Sequence, residues 1–254
     1  VVGAADRKEG MRRGFLYESG KATFFPSDPD GGGLTSGINA HGEVIGAEMG
    51  TESDMQAFLW KAGKTTLLKP GGKTSIAQGI NDDGKVVGAI YDAEGRRQAF
   101  VWEKGKTTLL TGLDGEKGSH AYAIDPSGVI VGRGDTKEKD GEGSRVHRAV
   151  MWKDGQAVDL GALPKYPFSV AYAINGGGWI VGASIEVPAD MPPTDSRAIL
   201  YQNGRLYDLN TLIPADSGWT LYDAKGINSG GMIVGTGRRK GAPELRAYLL
   251  VPKP

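Results

Sequence analysis

Short apolar runs alternate with polar, glycine-rich stretches along the chain, and the apolar runs return in the same order. The clearest is a valine-glycine signature: Val1-Val2-Gly3, Val44-Ile45-Gly46, Val86-Val87-Gly88, Ile130-Val131-Gly132, Ile180-Val181-Gly182 and Ile233-Val234-Gly235. Its glycines are 43, 42, 44, 50 and 53 residues apart, close to the blade period of about 40 to 50 residues of a propeller. Each copy divides into four short segments rich in β-branched and aromatic residues, which predict strands A to D and not helices. Strand A ends in Gly37-Ile38-Asn39, Gly79-Ile80-Asn81, Ala123-Ile124-Asp125, Ala173-Ile174-Asn175 and Gly226-Ile227-Asn228. Strand B is the valine-glycine signature. Strand C is typified by Ala57-Phe58-Leu59-Trp60, and strand D by Lys106-Thr107-Thr108-Leu109-Leu110. No window sustains a 3.6-residue period.

The polar residues between the strands fit tight turns. In Asn81-Asp82-Asp83-Gly84 an Asx side chain opens a type I turn and a glycine able to take positive φ closes it. The same spacing joins A to B in the other copies and identifies these Asn and Asp residues as turn formers, not metal ligands. Strands C and D are joined as tightly, through Gly63, Gly105 and Gly155. The B to C and D to A connections are therefore the long, variable ones, and in a four-stranded meander they emerge at one end of the sheet. Variation between copies, and hence binding, is expected there.

These elements predict an all-β chain: a β-propeller of four-stranded antiparallel blades forming one domain over residues 1–254. The repeat units run over approximately 1–25, 34–68, 76–110, 120–160, 170–209 and 223–250. The chain enters at a B strand and leaves after a C strand, giving five A, six B, six C and five D strands. That inventory favours six blades, the first without its inner strand and the last without its outer one, over a ring of five. Trp60, Trp102, Trp152, Tyr17 and Tyr201 share one repeat position and are expected in the core between blades.

Composition narrows the function classes. The 41 glycines are about twice average usage, but 39% hydrophobic residues exclude a disordered linker. There is no cysteine, hence no disulfide framework and no thiolate metal site. Thirty Lys and Arg balance thirty Asp and Glu, which argues against nucleic acid as the partner, with only Arg238-Arg239-Lys240 in its favour. No apolar run is long enough to span a bilayer. The chain begins at Val1 without a secretory leader pattern, and Val1 is read as a processing boundary whose upstream residues could supply the missing A strand.

Candidate chemistry sits where the copies differ. Tyr166, Phe168 and Trp219, and His120 followed by Tyr122, do not recur in the other copies, so the repeat does not account for them. With Arg133 and Arg148 they make a candidate binding set, since aromatic rings beside charged groups suit sugar faces or peptide anchors. His120 and His147, read as neighbours in loops at one end, with Tyr122, Tyr172 and the carboxylates Asp125, Asp135 or Asp223, form a candidate acid/base set. No metal or cofactor spacing is present, and Arg133-Gly134-Asp135, the integrin tripeptide, is a coincidence of composition.

The repeated residues resemble the HAF repeat, a bacterial extracellular family with the pattern Ala-x-Ala-Ile-Asn-x-x-Gly-x-Val-Val-Gly, then His-Ala-Phe-Leu-Trp, then Asp-Leu-Gly. The match extends over the whole chain and is best over 77–88 with 98–110 and over 171–182, while Asp159-Leu160-Gly161 carries the last element intact. The histidine that names the family is replaced by Arg13, Gln56, Gln98, Arg148, Arg197 and Arg246. The resemblance implies a β-propeller and an extracellular or periplasmic protein, and it brings no single activity with it.

Three functions fit this reading. The first is a non-catalytic module that binds a glycan or a protein partner through its loop face. A polysaccharide-acting hydrolase or lyase, with its site at the channel mouth, is the alternative, and a structural repeat in a larger surface protein is the third. The absence of a fixed catalytic spacing leans the reading away from an enzyme.

Overall fold

A computed structural model describes the whole chain except residues 8–9, 26–30, 51–53, 142, 187–194 and 254. The described residues form 22 strands in six antiparallel sheets, with four strands in each of the middle four and three in the first and last. The strand inventory is the one the repeat predicts, including the missing inner strand of the first sheet and outer strand of the last. The contacts divide the chain into two compact units, Val1–Leu110 and Thr111–Pro254.

The first unit holds three sheets. Sheet 1 is β1 (Val2–Arg7), β2 (Gly10–Glu18) and β3 (Lys21–Phe25); sheet 2 is β4 (Gly33–Ile38), β5 (Val44–Met49), β6 (Met55–Lys61) and β7 (Lys64–Leu67). Sheet 3 is β8 (Thr74–Ile80), β9 (Val86–Tyr91), β10 (Arg97–Glu103) and β11 (Lys106–Leu110). Strands β5 and β9 bury both of their faces, which is why they read as unbroken apolar runs and not as alternating ones. Ile45, Ala57 and Leu68 of sheet 2 pack with Ala77, Val86 and Phe100 of sheet 3, and Leu16 and Phe25 pack with Val44 and Phe58. Each fully buried large side chain contributes roughly 1.5–3 kcal/mol. Trp60 lies edge-on to Phe25, in the expected core, but Tyr17 is 51% exposed. It points to the face of sheet 1 opposite Leu16, and within this unit no sheet packs on that face.

The second unit repeats the plan. Sheet 4 is β12 (Ser119–Ile124), β13 (Ile130–Lys139), β14 (Arg145–Lys153) and β15 (Gln156–Gly161); sheet 5 is β16 (Phe168–Ile174), β17 (Ile180–Ile185), β18 (Ser196–Gln202) and β19 (Arg205–Asp208). Sheet 6 is β20 (Trp219–Ile227), β21 (Ile233–Arg239) and β22 (Leu245–Leu250). Val131, Ala149 and Leu160 pack on Ala171 and Ile180, and Leu200 and Leu209 pack with Leu221, Ile233 and Tyr248.

The turns have the predicted chemistry. Asn175 Oδ1 accepts the backbone N–H groups of Gly177 and Trp179, and Asn228 Oδ1 accepts that of Met232. Asp125 Oδ1 accepts that of Val129. The same residues also have a second role that spacing alone did not reveal. Asn39 Nδ2 donates to the Asn81 carbonyl at 3.1 Å, and Asn175 Nδ2 to the Asn228 carbonyl at 3.0 Å, so each turn is tied to the turn of the following sheet.

The glycine of the valine-glycine signature is explained by a bulge. In every sheet that has a strand A, the register slips at the same place: between Thr35 and Gly37, Ala77 and Gly79, Ala121 and Ala123, Ala171 and Ala173, and Ala224 and Gly226, and in sheet 6 it slips a second time between Leu221 and Asp223. Beside the shared slip a strand A carbonyl lies over the strand B glycine. A Cβ at Gly46, Gly88, Gly132, Gly182 or Gly235 would come within 1.9–2.0 Å of a carbonyl oxygen. Sheet 1 has no strand A, and there a Cβ at Gly3 meets only the Phe15 ring.

Candidate functional site

The bulge also decides which side chains are free to do something else. A bulge residue has no cross-strand partner, so its side chain is released from the pairing pattern of the sheet. In the second unit the residues at the shared bulge are Tyr122, Tyr172 and Lys225, with Tyr222 in a further bulge of β20; in the first they are Ser36 and Gln78. The second unit joins its three into a row. The His120 ring stacks on Tyr122 with centroids 4.3 Å apart. Tyr122 meets Tyr172 edge to face at 5.6 Å, and Lys225 Nζ stands 3.6 Å from the centroid of the Tyr172 ring. Lys225 Nζ is also 3.5 Å from Asp223 Oδ2, and Asp223 Oδ1 accepts the Thr236 N–H at 2.8 Å. A cation over a ring at this distance contributes about 0.5–2 kcal/mol, more as water is excluded.

Behind the row lies a buried polar group in sheet 4. His120 is the register partner of Arg133, and Asp135 that of His147. Register partners and residues two apart share a face, so these four project from the same side of the sheet, the side that β16 covers. His120, Arg133 and His147 are only 5%, 7% and 2% exposed. The equivalent pairs are small or apolar in three other sheets, Leu34 with Ala47, Ile76 with Ala89 and Val170 with Ala183, while in sheet 6 the pair is Asp223 with Thr236. His120 and His147 therefore lie within strands, not in loops, and β13 runs between them. Of the carboxylates considered with them, Asp135 shares their face, Asp125 caps its own turn and Asp223 belongs to the aromatic row.

The remaining candidates are dispersed. Phe168 is core, in contact with the His147 ring at 5.1 Å. Arg148 pairs with Glu138 at 3.0 Å and donates to the Pro167 carbonyl. The Tyr166 hydroxyl donates to Asp195 Oδ2 at 2.8 Å, and the Arg197 guanidinium covers the Tyr166 ring at 5.0 Å. Trp219 opens β20, half-buried against the core of its unit. Among the described residues no group of three or more His, Asp or Glu is placed to hold a metal ion.

The Tyr166 contact carries a pH dependence. Burial works to raise the Asp195 carboxyl, but the Tyr166 hydroxyl and the Arg197 guanidinium outweigh it and hold the group below its usual 3.8. Burial, then the bond to Asp195, pushes the Tyr166 hydroxyl up. A carboxyl depressed on folding stabilises fully above its unfolded pKa, and that contribution is lost as pH falls through the folded value. The Tyr166–Asp195–Arg197 contact is therefore intact at neutral pH and is lost only as pH falls through the Asp195 value, which lies below the usual 3.8. A titration of the Tyr166 ring resonances checks this, and Asp195→Asn removes the acidic transition.

Lys225 was not among the residues that the sequence singles out. Its signal was present, because Ala224-Lys225-Gly226-Ile227-Asn228 aligns with Ala121-Tyr122-Ala123-Ile124-Asp125 and Ala171-Tyr172-Ala173-Ile174-Asn175. Reading down that column, instead of along each loop, places all three in one position and corrects the expectation that Tyr122 has no counterpart: it recurs as Tyr172.

No family model matches the chain, and no curated protein matches it. Among solved structures it is similar to the β-propeller domain of the Trilobed protease from Pyrococcus furiosus, a domain described as having an open velcro topology. The identity is 10% and the TM-score 0.61, over 99% of this chain and 76% of that one. With the six sheets, this likeness assigns the chain the β-propeller fold, with six blades.

Proposed function

We propose that the chain is a non-catalytic binding module that takes a glycan on the inner strands of its second unit. The observation that carries this reading is the row Tyr122, Tyr172 and Lys225, backed by the buried His120 ring and closed by Asp223, at the repeat position that the strand bulges of this unit share. Flat rings suit the C–H faces of a pyranose. Lys225 and Asp223 supply a donor and an acceptor for hydroxyl groups beside them. The rings and the cation hold one another, so little side-chain freedom is lost when a ligand arrives. An extracellular or periplasmic setting accords with a glycan ligand, and we infer it from the resemblance to HAF repeats.

The test is binding of a neutral hexasaccharide panel (cello-, xylo- and manno-hexaose) to the wild-type chain and to Tyr122→Ala and Tyr172→Ala. Each substitution is expected to weaken binding at least tenfold, with Tm little changed because both rings are only half-buried. Unchanged affinity in both variants would move the site elsewhere. New reducing ends released on incubation would make the module an enzyme.

A further inference from the structure

A second feature of the same unit has a chemistry of its own. Trp219, at the start of β20, is the register partner of Arg239 near the end of β21, and Thr220 that of Arg238. With Gly218 and Lys240 these residues line a notch of about 360 Å³, within the size range of small-ligand sites. The Lys240 N–H donates to the Gly218 carbonyl at 2.7 Å and fixes the rim. The Arg238 guanidinium lies 5.8 Å from the centre of the Tyr222 ring.

Elsewhere several cations pair with carboxylates, as in Lys61 with Glu43, Arg96 with Asp92 and Arg145 with Glu116. Among the described residues Arg238, Arg239 and Lys240 enter no ion pair, although Asp216 and Glu244 are near in sequence. In a chain of zero net charge, this is a local excess of positive charge beside an indole.

We propose that this notch binds an anionic saccharide, with a sugar face against Trp219 and a carboxylate or sulfate group held by Arg239, its cross-strand partner, and Lys240. Guanidinium forks match the planar oxygens of such a group. A nucleic-acid backbone is the poorer fit, because it presents phosphates in a line and needs cations along a track, whereas Arg239 and Lys240 sit together at one hairpin end. The inference rests on the glycan reading above but uses a different set of residues.

The experiment is titration of the full chain with oligogalacturonate and chondroitin sulfate oligosaccharides, the neutral hexasaccharide panel, and a 20-nucleotide single-stranded DNA. The anionic saccharides are expected to bind, more weakly as salt is raised. Arg239→Gln combined with Lys240→Gln should reduce that affinity at least tenfold, and Lys21→Gln, an exposed cation on another sheet, should leave it unchanged. Trp219 also packs on the core, so Trp219→Phe, which keeps a ring, is the variant to use; a several-fold loss is expected. Failure of the anionic saccharides while neutral ones bind overturns the notch and leaves the Tyr122–Tyr172 surface standing. Failure of both sets removes the glycan reading as well. Binding that the double variant does not weaken, or DNA bound as tightly as the saccharides, also overturns the proposal.

Discussion

Gly182→Ala is expected to destabilise the chain by about 3 kcal/mol or more, the upper range for overpacking a tight site. The added Cβ would stand 1.9 Å from the Val170 carbonyl oxygen and 3.0 Å from the Ala171 Cα. Both atoms are backbone, so neither can move aside as a flexible side chain would. Relief requires β16 to separate from β17, which breaks ladder hydrogen bonds at the bulge. For a unit of this size the loss corresponds to a fall in Tm of roughly 6–12 °C. Gly3→Ala is the internal control. Its Cβ would meet only the far side of the Phe15 ring at 2.9 Å, a ring that can rotate or shift, so a fall of no more than a few degrees is expected. Thermal melts of the two variants side by side check the bulge as the cause, because the two glycines occupy the same place in the repeat.

Trp152→Ala is the second large effect. Trp152 is 1% exposed, and its Nε1–H donates to the Thr111 carbonyl at 2.7 Å. Truncation removes one of the largest buried side chains and leaves that carbonyl without its donor. Cavity formation alone costs about 3–5 kcal/mol for Trp to Ala. The orphaned carbonyl adds about 1–3 kcal/mol unless water enters. Trp152→Phe separates the two contributions: most of the volume remains, the hydrogen bond is lost, and the loss should fall to about 1–3 kcal/mol. Chemical denaturation followed by the remaining tryptophans, with far-ultraviolet dichroism as a second probe, measures both. Disagreement between the two probes would show the units unfolding separately.

Most of the scaffold could be read from one copy and multiplied. The Val-Val-Gly, Ala-Phe-Leu-Trp and Asn-x-x-Gly elements each obey local rules of strand propensity and turn stereochemistry, and local rules are visible in sequence. The signature glycine was harder to read. It looks like a strand end, yet its cause is a carbonyl from another strand, brought over it by a bulge. The site was legible only in part, for a related reason. Tyr122 and Tyr172 stand out as aromatics in a column otherwise filled by serine, glutamine and lysine, but their contact depends on how neighbouring sheets pack. His120 and His147 read as loop residues because strands A and C begin further toward the loop end than their apolar signatures show; their counterparts in sheet 3, Ile76 and Arg97, are strand residues as well. Once they are placed on strands, Arg133 in place of an alanine becomes the informative departure: a buried cation opposite His120, under the aromatic row.

The central claim is that the row of rings on the bulged inner strands is the surface that holds a ligand. Saturation-transfer NMR addresses it directly, with the wild-type chain and whichever of cello-, xylo- or manno-hexaose binds best. Irradiation of the tyrosine ring protons should transfer to the axial C–H groups of the sugar, and the transfer should drop sharply in Tyr172→Ala. Sugar binding that persists with the same transfer pattern in Tyr122→Ala and Tyr172→Ala would contradict the account.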